Sequence, residues 1–384
     1  MAKHERPSSR PGAGRYAFAP RNRADLLRLG AAGAAVAAVA GAFAYTGGWL
    51  SPQRLTQARV VDRFERVNGL HAGFRRNHAK GVCFTGVFDS NGAGARLSEA
   101  AVFAPGRTPV FGRFALAGGQ PYGADGPKAV RSLAINFALR DGEVWRTGMN
   151  DIPVFPVRDV RGFYEQLAAS RPDPATGKPD PARMRAFLAA HPETARAMAL
   201  IKAQPAPSGF ADATYNSLDA FRFTNAAGAT TPVRWSLTPE DAFQPEAPGG
   251  VKARDGNYLF DALAARLKTG PARWRLVVTI GRPGDQTDDP TTPWPADRTR
   301  LEVGVLSVDR LEDEARGPCR DVTFDPLILP AGISPSDDPI LSARSAAYAQ
   351  SFTRRAGEPA APPAVRVPAA QISGAQVSGA QGDR

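Results

Sequence analysis

His78 is one of four histidines in a chain of 384 residues, and it stands in the string Arg75-Arg76-Asn77-His78-Ala79-Lys80-Gly81. An imidazole can take up and return a proton near neutral pH. A lone histidine in a basic run is nevertheless more often a satisfied polar side chain. Two other strings lie downstream: Met149-Asn150-Asp151-Ile152-Pro153-Val154-Phe155 and Arg344-Ser345-Ala346-Ala347-Tyr348. Positions four apart share a helix face, so Arg344 is spaced to direct its guanidinium onto the Tyr348 oxygen. That contact favours the phenolate by charge and hydrogen bonding. A phenolate is a hard anionic ligand suited to ferric iron. On its own the Arg-x-x-x-Tyr spacing is equally that of a surface helix pair, so the weight falls on the three strings together.

These residues need elements to hold them. Arg54 to about Leu70 has apolar residues at helical spacing (Leu55, Val60, Val61, Phe64, Val67). From Gly81 the pattern changes to short apolar runs flanked by glycine, proline or aspartate, which predict strands. The runs are 81–88, 99–104, 110–117, 132–139, 220–224, 231–236, 273–280 and 301–307. Helical patches interrupt them at 160–169, 181–203 and 256–267, and a final helix is predicted over 339–355. Many short strands with helical excursions suit an α+β chain built on a closed antiparallel barrel. Beyond Gly357 the chain is rich in alanine and proline and repeats Ser-Gly-Ala-Gln, which predicts a disordered tail over 357–384.

The formal net charge is +11, but the basic residues are scattered and no nucleic-acid motif accompanies them, so no nucleic-acid partner is expected. Residues 1–28 carry seven arginine and lysine side chains against Glu5 and Asp25, and no charge follows from Leu29 to Gln53. A basic arm followed by an apolar stretch over 29–50 fits a single-pass inner-membrane anchor with the remainder periplasmic. Ala42-Phe43-Ala44 offers the alternative of a cleaved signal peptide and export. Cys83 and Cys319 lie in no metal-binding spacing, and their separation leaves pairing open.

Taken in order, five strings between Arg54 and Arg355 resemble the haem catalase family, in particular its shorter, catalase-related peroxidase branch. Arg75-x-x-His78-Ala79-Lys80-Gly81 is similar to the distal histidine motif. Thr108-Pro109-Val110-Phe111-Gly112-Arg113-Phe114 resembles the strand that brings an arginine to a haem propionate. Asn150-x-x-Pro153-Val154-Phe155-x-x-Arg158-Asp159 resembles the distal asparagine segment. Phe324-Asp325-Pro326 through Pro330-x-Gly332-Ile333-x-Pro335-Ser336 is similar to the approach to the proximal helix. Arg344-x-x-x-Tyr348, with Arg355 following, resembles the proximal ligand motif.

The resemblance implies a catalase-like haem peroxidase domain over 54–356 that lacks the C-terminal helical domain of large catalases. It implies haem b as cofactor, with Tyr348 as axial iron ligand tuned by Arg344. His78 would be the distal acid–base and Asn150 would orient the peroxide. Arg75, Arg113 and Arg355 would face the haem propionates, and Phe155 and Phe163 would line the pocket. Expected partners are a hydroperoxide and a small organic electron donor, with no NADPH; a homo-oligomer is left open. The alternative is a haem carrier or sensor without turnover. Two departures from the family pattern argue against dismutation of hydrogen peroxide. Ala115 and Ala117 stand where catalases carry hydroxyl residues, so a group assisting the distal histidine is expected to be missing. Phe352 stands where mammalian-type catalases have a histidine. Alkaline carbonate extraction of native membranes should leave the full-length chain in the pellet; its release into the supernatant would rule out the anchor.

Overall fold

The computed structural model describes residues 22–50, 54–246 and 256–367. The first 21 residues of the predicted basic arm, and the tail from 368 with its repeats, lie outside the described residues. The chain divides into two compact units between Thr56 and Gln57. In the first, helix α1 (Arg23–Thr46) is capped by Asn22, whose side chain accepts from the Asp25 amide. None of its residues is buried, and it is long and apolar enough to cross a bilayer, a test that a signal sequence also passes.

The second unit is built on ten strands: β1 (Gly81–Ser90), β2 (Gly106–Leu116), β3 (Arg131–Ala138), β4 (Val144–Asn150), β5 (Tyr215–Asn216), β6 (Phe221–Thr224), β7 (Thr230–Pro239), β8 (Ala272–Ile280), β9 (Arg300–Glu312) and β10 (Ile333–Pro335). Their order is β10-β6-β7-β5-β4-β3-β2-β1-β9-β8, and β7 also pairs with β8. That extra pairing closes eight antiparallel strands into a barrel, with β6 and β10 extending outward from β7. Closure removes the barrel's free edges. Period-two alternation then decides which side chains enter. In β8, Ala272, Trp274, Leu276 and Val278 are buried while Arg273 and Arg275 are exposed.

Aromatic side chains fill the barrel. Phe137 stacks on Trp145 at 4.6 Å, Trp145 meets Trp235 edge-on at 5.2 Å, and Phe114 packs within 5.8 Å of Trp274. An eight-stranded barrel has an interior just wide enough for its own side chains, so a ligand site has to lie on the outer face. Helices α2 (Gln57–Asn68), α3 (Val160–Ala169) and α7 (Pro339–Ala356) pack against one another there. Further helices are α4 (Pro181–Ala190), α5 (Pro192–Ala203) and α6 (Tyr258–Leu267).

Several elements differ from the sequence expectation. The run 99–104 is not a strand: Ala101–Phe103 forms a 3-10 turn, and the Ser98 hydroxyl accepts the Ala100 amide just ahead of it. Strand β4 was not anticipated, although it ends on Asn150. The helical patch 181–203 splits at His191, because a residue preceding proline is pushed out of helical geometry; here φ is −126° and ψ is 72°. Residues 358–367, within the stretch expected to be a disordered tail, are packed: Glu358 pairs with Arg76, and Val365 and Val367 are buried.

Cys83 and Cys319 form a disulfide that closes a span of 236 residues. Lys80 is buried. Its ammonium donates to Asp125 at 2.6 Å and to the carbonyls of Gly123 and Gly256 at 2.9 and 2.7 Å. Asp125→Ala strands that charge in the interior and should cost about 3–5 kcal/mol of stability. Urea unfolding measures it, and a change within error would mean that the pair contributes nothing.

Candidate active site

A cavity of about 300 Å³ lies on the outer face of β2, β3 and β4, beneath α2, α3 and α7. Its walls include Val61, Phe64, Phe155, Phe163 and Ile340. Phe163 bridges two of these, 5.5 Å from Phe64 and 6.0 Å from Phe155.

Strand register builds the floor. Gly81 pairs with Ala115, Ala115 with Ser132, and Ser132 with Asn150, so one row crosses β1 to β4. Directly paired residues project to the same face. His78, three residues before β1, leans onto this row. Its φ is +53°, an unusual conformation for a residue with a side chain. Neighbours hold it there. Its carbonyl accepts from Arg113 at 2.7 Å, the Ala79 amide donates to the Gly118 carbonyl, and the Asn77 side chain accepts the Gly118 amide.

The Ser132 hydroxyl lies 3.0 Å from His78 Nδ1 and donates to Asn150 Oδ1 at 2.5 Å. A hydroxyl has one proton; with it committed to Asn150, the Ser132 oxygen accepts from His78 Nδ1–H. Nε2 then carries a lone pair rather than a proton, the form a general base requires. Burial lowers the imidazole pKa to about 3, and the positive charges of Arg113, Arg344 and Arg75 add to the effect. His78 is therefore neutral across the physiological range.

Helix α7 supplies the opposite wall. Asp338 caps it by accepting the Ile340 amide at 2.8 Å, and Ser345 donates to Asp325 at 2.6 Å. Arg344 lies with its guanidinium carbon 5.9 Å from the centre of the Tyr348 ring. One of its nitrogens pairs with buried Asp219 and another donates to the Gly148 carbonyl at 3.3 Å. Burial opposes the Arg344 charge, but Asp219 and the Tyr348 oxygen more than offset it and hold its pKa above the ordinary value. Behind Arg344, Asp219 and Asp338 each keep one buried oxygen without a donor. One proton shared between them satisfies both. Burial and the facing Asp219 charge raise Asp338 to about 8; burial raises Asp219 as well, but Arg344 and the Asp338 hydrogen bond oppose it there, so the shared proton resides mainly on Asp338.

Arg75, Arg113 and Arg355 line the remaining edge. Burial pushes Arg75 down to about 9; Glu314 opposes the shift, and Arg113 and Arg355 reinforce it. Burial lowers Arg355 as well. These cations outnumber the buried acid beside them, Glu314, which the sequence reading did not single out.

All nine residues singled out from the sequence (Arg75, His78, Arg113, Asn150, Phe155, Phe163, Arg344, Tyr348 and Arg355) border this one cavity. Ser132 was missed, and the expectation that no hydroxyl assists His78 is corrected. Ala115 does lack one, but its cross-strand partner Ser132 provides it. Pairing between strands is not written in local sequence. No group of three or more metal-binding side chains of the His, Cys, Asp or Glu type occurs among the described residues.

A family model described as catalase matches residues 41–382. A catalase-related peroxidase from Synechococcus elongatus is 36% identical over 301 residues, covering 78% of this chain and 89% of its own. One from Mycolicibacterium paratuberculosis is 32% identical over 304 residues, covering 79% of this chain and 96% of its own. A solved bacterial catalase superposes with a TM-score of 0.66 at 22% identity, covering 75% of this chain and 58% of that one. Ser132→Ala removes the acceptor that fixes the His78 tautomer. It should lower turnover with peroxide about 10- to 100-fold, part of the ~10²–10⁴ that a positioned base contributes. In the parent, kcat/KM should show no inflection near pH 6.5, since His78 stays neutral down to about pH 3; an inflection at 6.5 would contradict the burial argument.

Proposed function

The chain belongs to the catalase family, and on that premise we propose a haem-dependent peroxidase that reduces organic hydroperoxides with electrons from a small organic donor. The observation that carries the proposal is the Ser132-oriented His78 beside Asn150, in the same apolar cavity as the Arg344–Tyr348 pair.

The residues present suit haem. The walls are apolar enough for a flat macrocycle, and the phenol of Tyr348 is a hard donor of the kind ferric iron accepts. The desolvated cations Arg75 and Arg355 need more anionic charge than Glu314 alone provides, which two carboxylates would supply. Tyr348 would hold the metal, with Arg344 directed at its oxygen. Arg75, Arg113 and Arg355 would hold the carboxylate edge. When bound, haem supplies the two electrons that cleave the O–O bond.

The protein's own part is proton handling and placement. His78 Nε2 takes the hydroperoxide O–H proton and delivers it to the departing oxygen, which leaves as water or an alcohol. Ser132 fixes the ring during the transfer. Asn150, its Oδ1 engaged by Ser132, has its amide protons available to hold the peroxide. Phe64, Phe155 and Phe163 exclude water and favour an alkyl group on the substrate.

The Cys83–Cys319 disulfide fits an oxidising compartment. Together with the apolar helix α1 it supports a single-pass inner-membrane protein with this domain in the periplasm. Turnover of tert-butyl hydroperoxide with an oxidisable dye should exceed oxygen release from hydrogen peroxide. Vigorous oxygen release without dye oxidation would overturn the peroxidase reading, and haem loading without either would favour a carrier.

A further inference from the structure

The acid on the arginine edge belongs to a segment that the mechanism does not use. Glu314 binds Arg113 through both carboxylate oxygens at 2.8 Å and Arg75 at 2.5 Å. The same segment then supplies backbone carbonyls. Those of Cys319, Arg320 and Val322 accept from Arg75 Nη2 at 2.8, 3.2 and 3.0 Å, and that of Arg320 also accepts from Arg355 Nη1 at 2.6 Å. Residues 314–322, which are neither helix nor strand, thus contact all three arginines, and Arg113 is held as well by the carbonyls of His78 and Ala79.

A covalent bond fixes that segment to the barrel. Cys319 is joined to Cys83, and Cys83 pairs directly with Arg113 across β1 and β2, so the crosslink and the guanidinium leave the sheet on one face. Gly317 is pressed against the bond; a Cβ there would fall 2.6 Å from the Cys83 Cβ. The disulfide itself is fully buried, packed with Phe324. Three guanidinium groups face one buried carboxylate, Glu314; the other acid acting on Arg355 is the exposed Asp321.

We propose that the segment tethered by Cys83–Cys319 positions an edge built to hold a ligand with two carboxylates, Glu314 acting as the internal counter-ion that orders Arg75 and Arg113. The proposal rests on the haem reading and adds a redox dependence to it. Cutting the tether loosens the three arginines while Val61, Phe64, Phe163 and Tyr348, carried by α2, α3 and α7, stay in place.

The test uses the full-length chain loaded either with ferric haem or with its dimethyl ester, which has the same ring and no carboxylates. Transfer to excess apomyoglobin is followed by absorbance for the parent and for Cys83→Ala/Cys319→Ala. Loss of the tether should speed haem transfer about tenfold, the worth of one charge-assisted hydrogen bond, and leave transfer of the ester unchanged. Equal acceleration of both ligands would mean that the crosslink serves only general stability, and no acceleration would mean that it serves neither; either result overturns the proposal. If the paired variant does not fold, the chemically reduced parent, its thiols titrated, takes its place. Failure of the oxidised parent to take up haem would instead bring down the function proposed above.

Discussion

The pairing of β1 to β4 is the constraint from which the rest follows. Antiparallel register sets one row, Gly81–Ala115–Ser132–Asn150, across four strands, and the alternation of side chains sends the neighbouring residues to the other side. The neighbours Val82, Phe114, Leu133 and Met149 are apolar and fill the barrel. The row itself is small or polar and faces the cavity. A slip of one residue in β3 would bury Ser132 and turn Leu133 toward His78. Packing energy in the barrel and chemistry on its outer face are thus two readings of the same ladder. The site is rigid because the aromatic core does not tolerate a change in register.

Charge is arranged around that floor in an uneven way. On one side, Arg344 is fully compensated by Asp219, and a shared proton with Asp338 keeps a second buried carboxylate from adding negative charge. On the other, Arg75 and Arg355 are short of counter-charge. His78 lies within reach of both sets of cations and remains uncharged. Burial does most to keep that base unprotonated, and the positive field that makes the edge receptive to an anion adds to it.

Much of this was legible in the sequence, for identifiable reasons. Helix 160–169 and the long final helix show through because helical spacing and capping are local signals: Asp159 and Asp338 both cap by their side chains. Apart from 99–104, the strand runs were visible from alternation, with ends matching or off by up to five residues. What could not be read depends on contacts distant in sequence. Ser132 acquires its role from a residue 54 positions earlier, Glu314 from partners 239 and 201 positions away, and Cys83 from a cysteine 236 positions later. Local pattern also misled at 99–104, where an apolar run became a turn because the Ser98 hydroxyl competes for the backbone. An alanine where a hydroxyl was expected suggested a loss of function, whereas the hydroxyl had moved to the adjacent strand.

Helix α7 carries Arg344, Tyr348 and Arg355 on one element. Seven residues separate the last two, nearly two turns, so both reach the same cavity about 10 Å apart along the axis. The helix is in this sense a ruler. It sets the span between Tyr348 and Arg355 by residue count. A single insertion there would rotate Arg355 by about 100° relative to Tyr348 and lift it from the edge. In descendants of this chain, that stretch should keep its length.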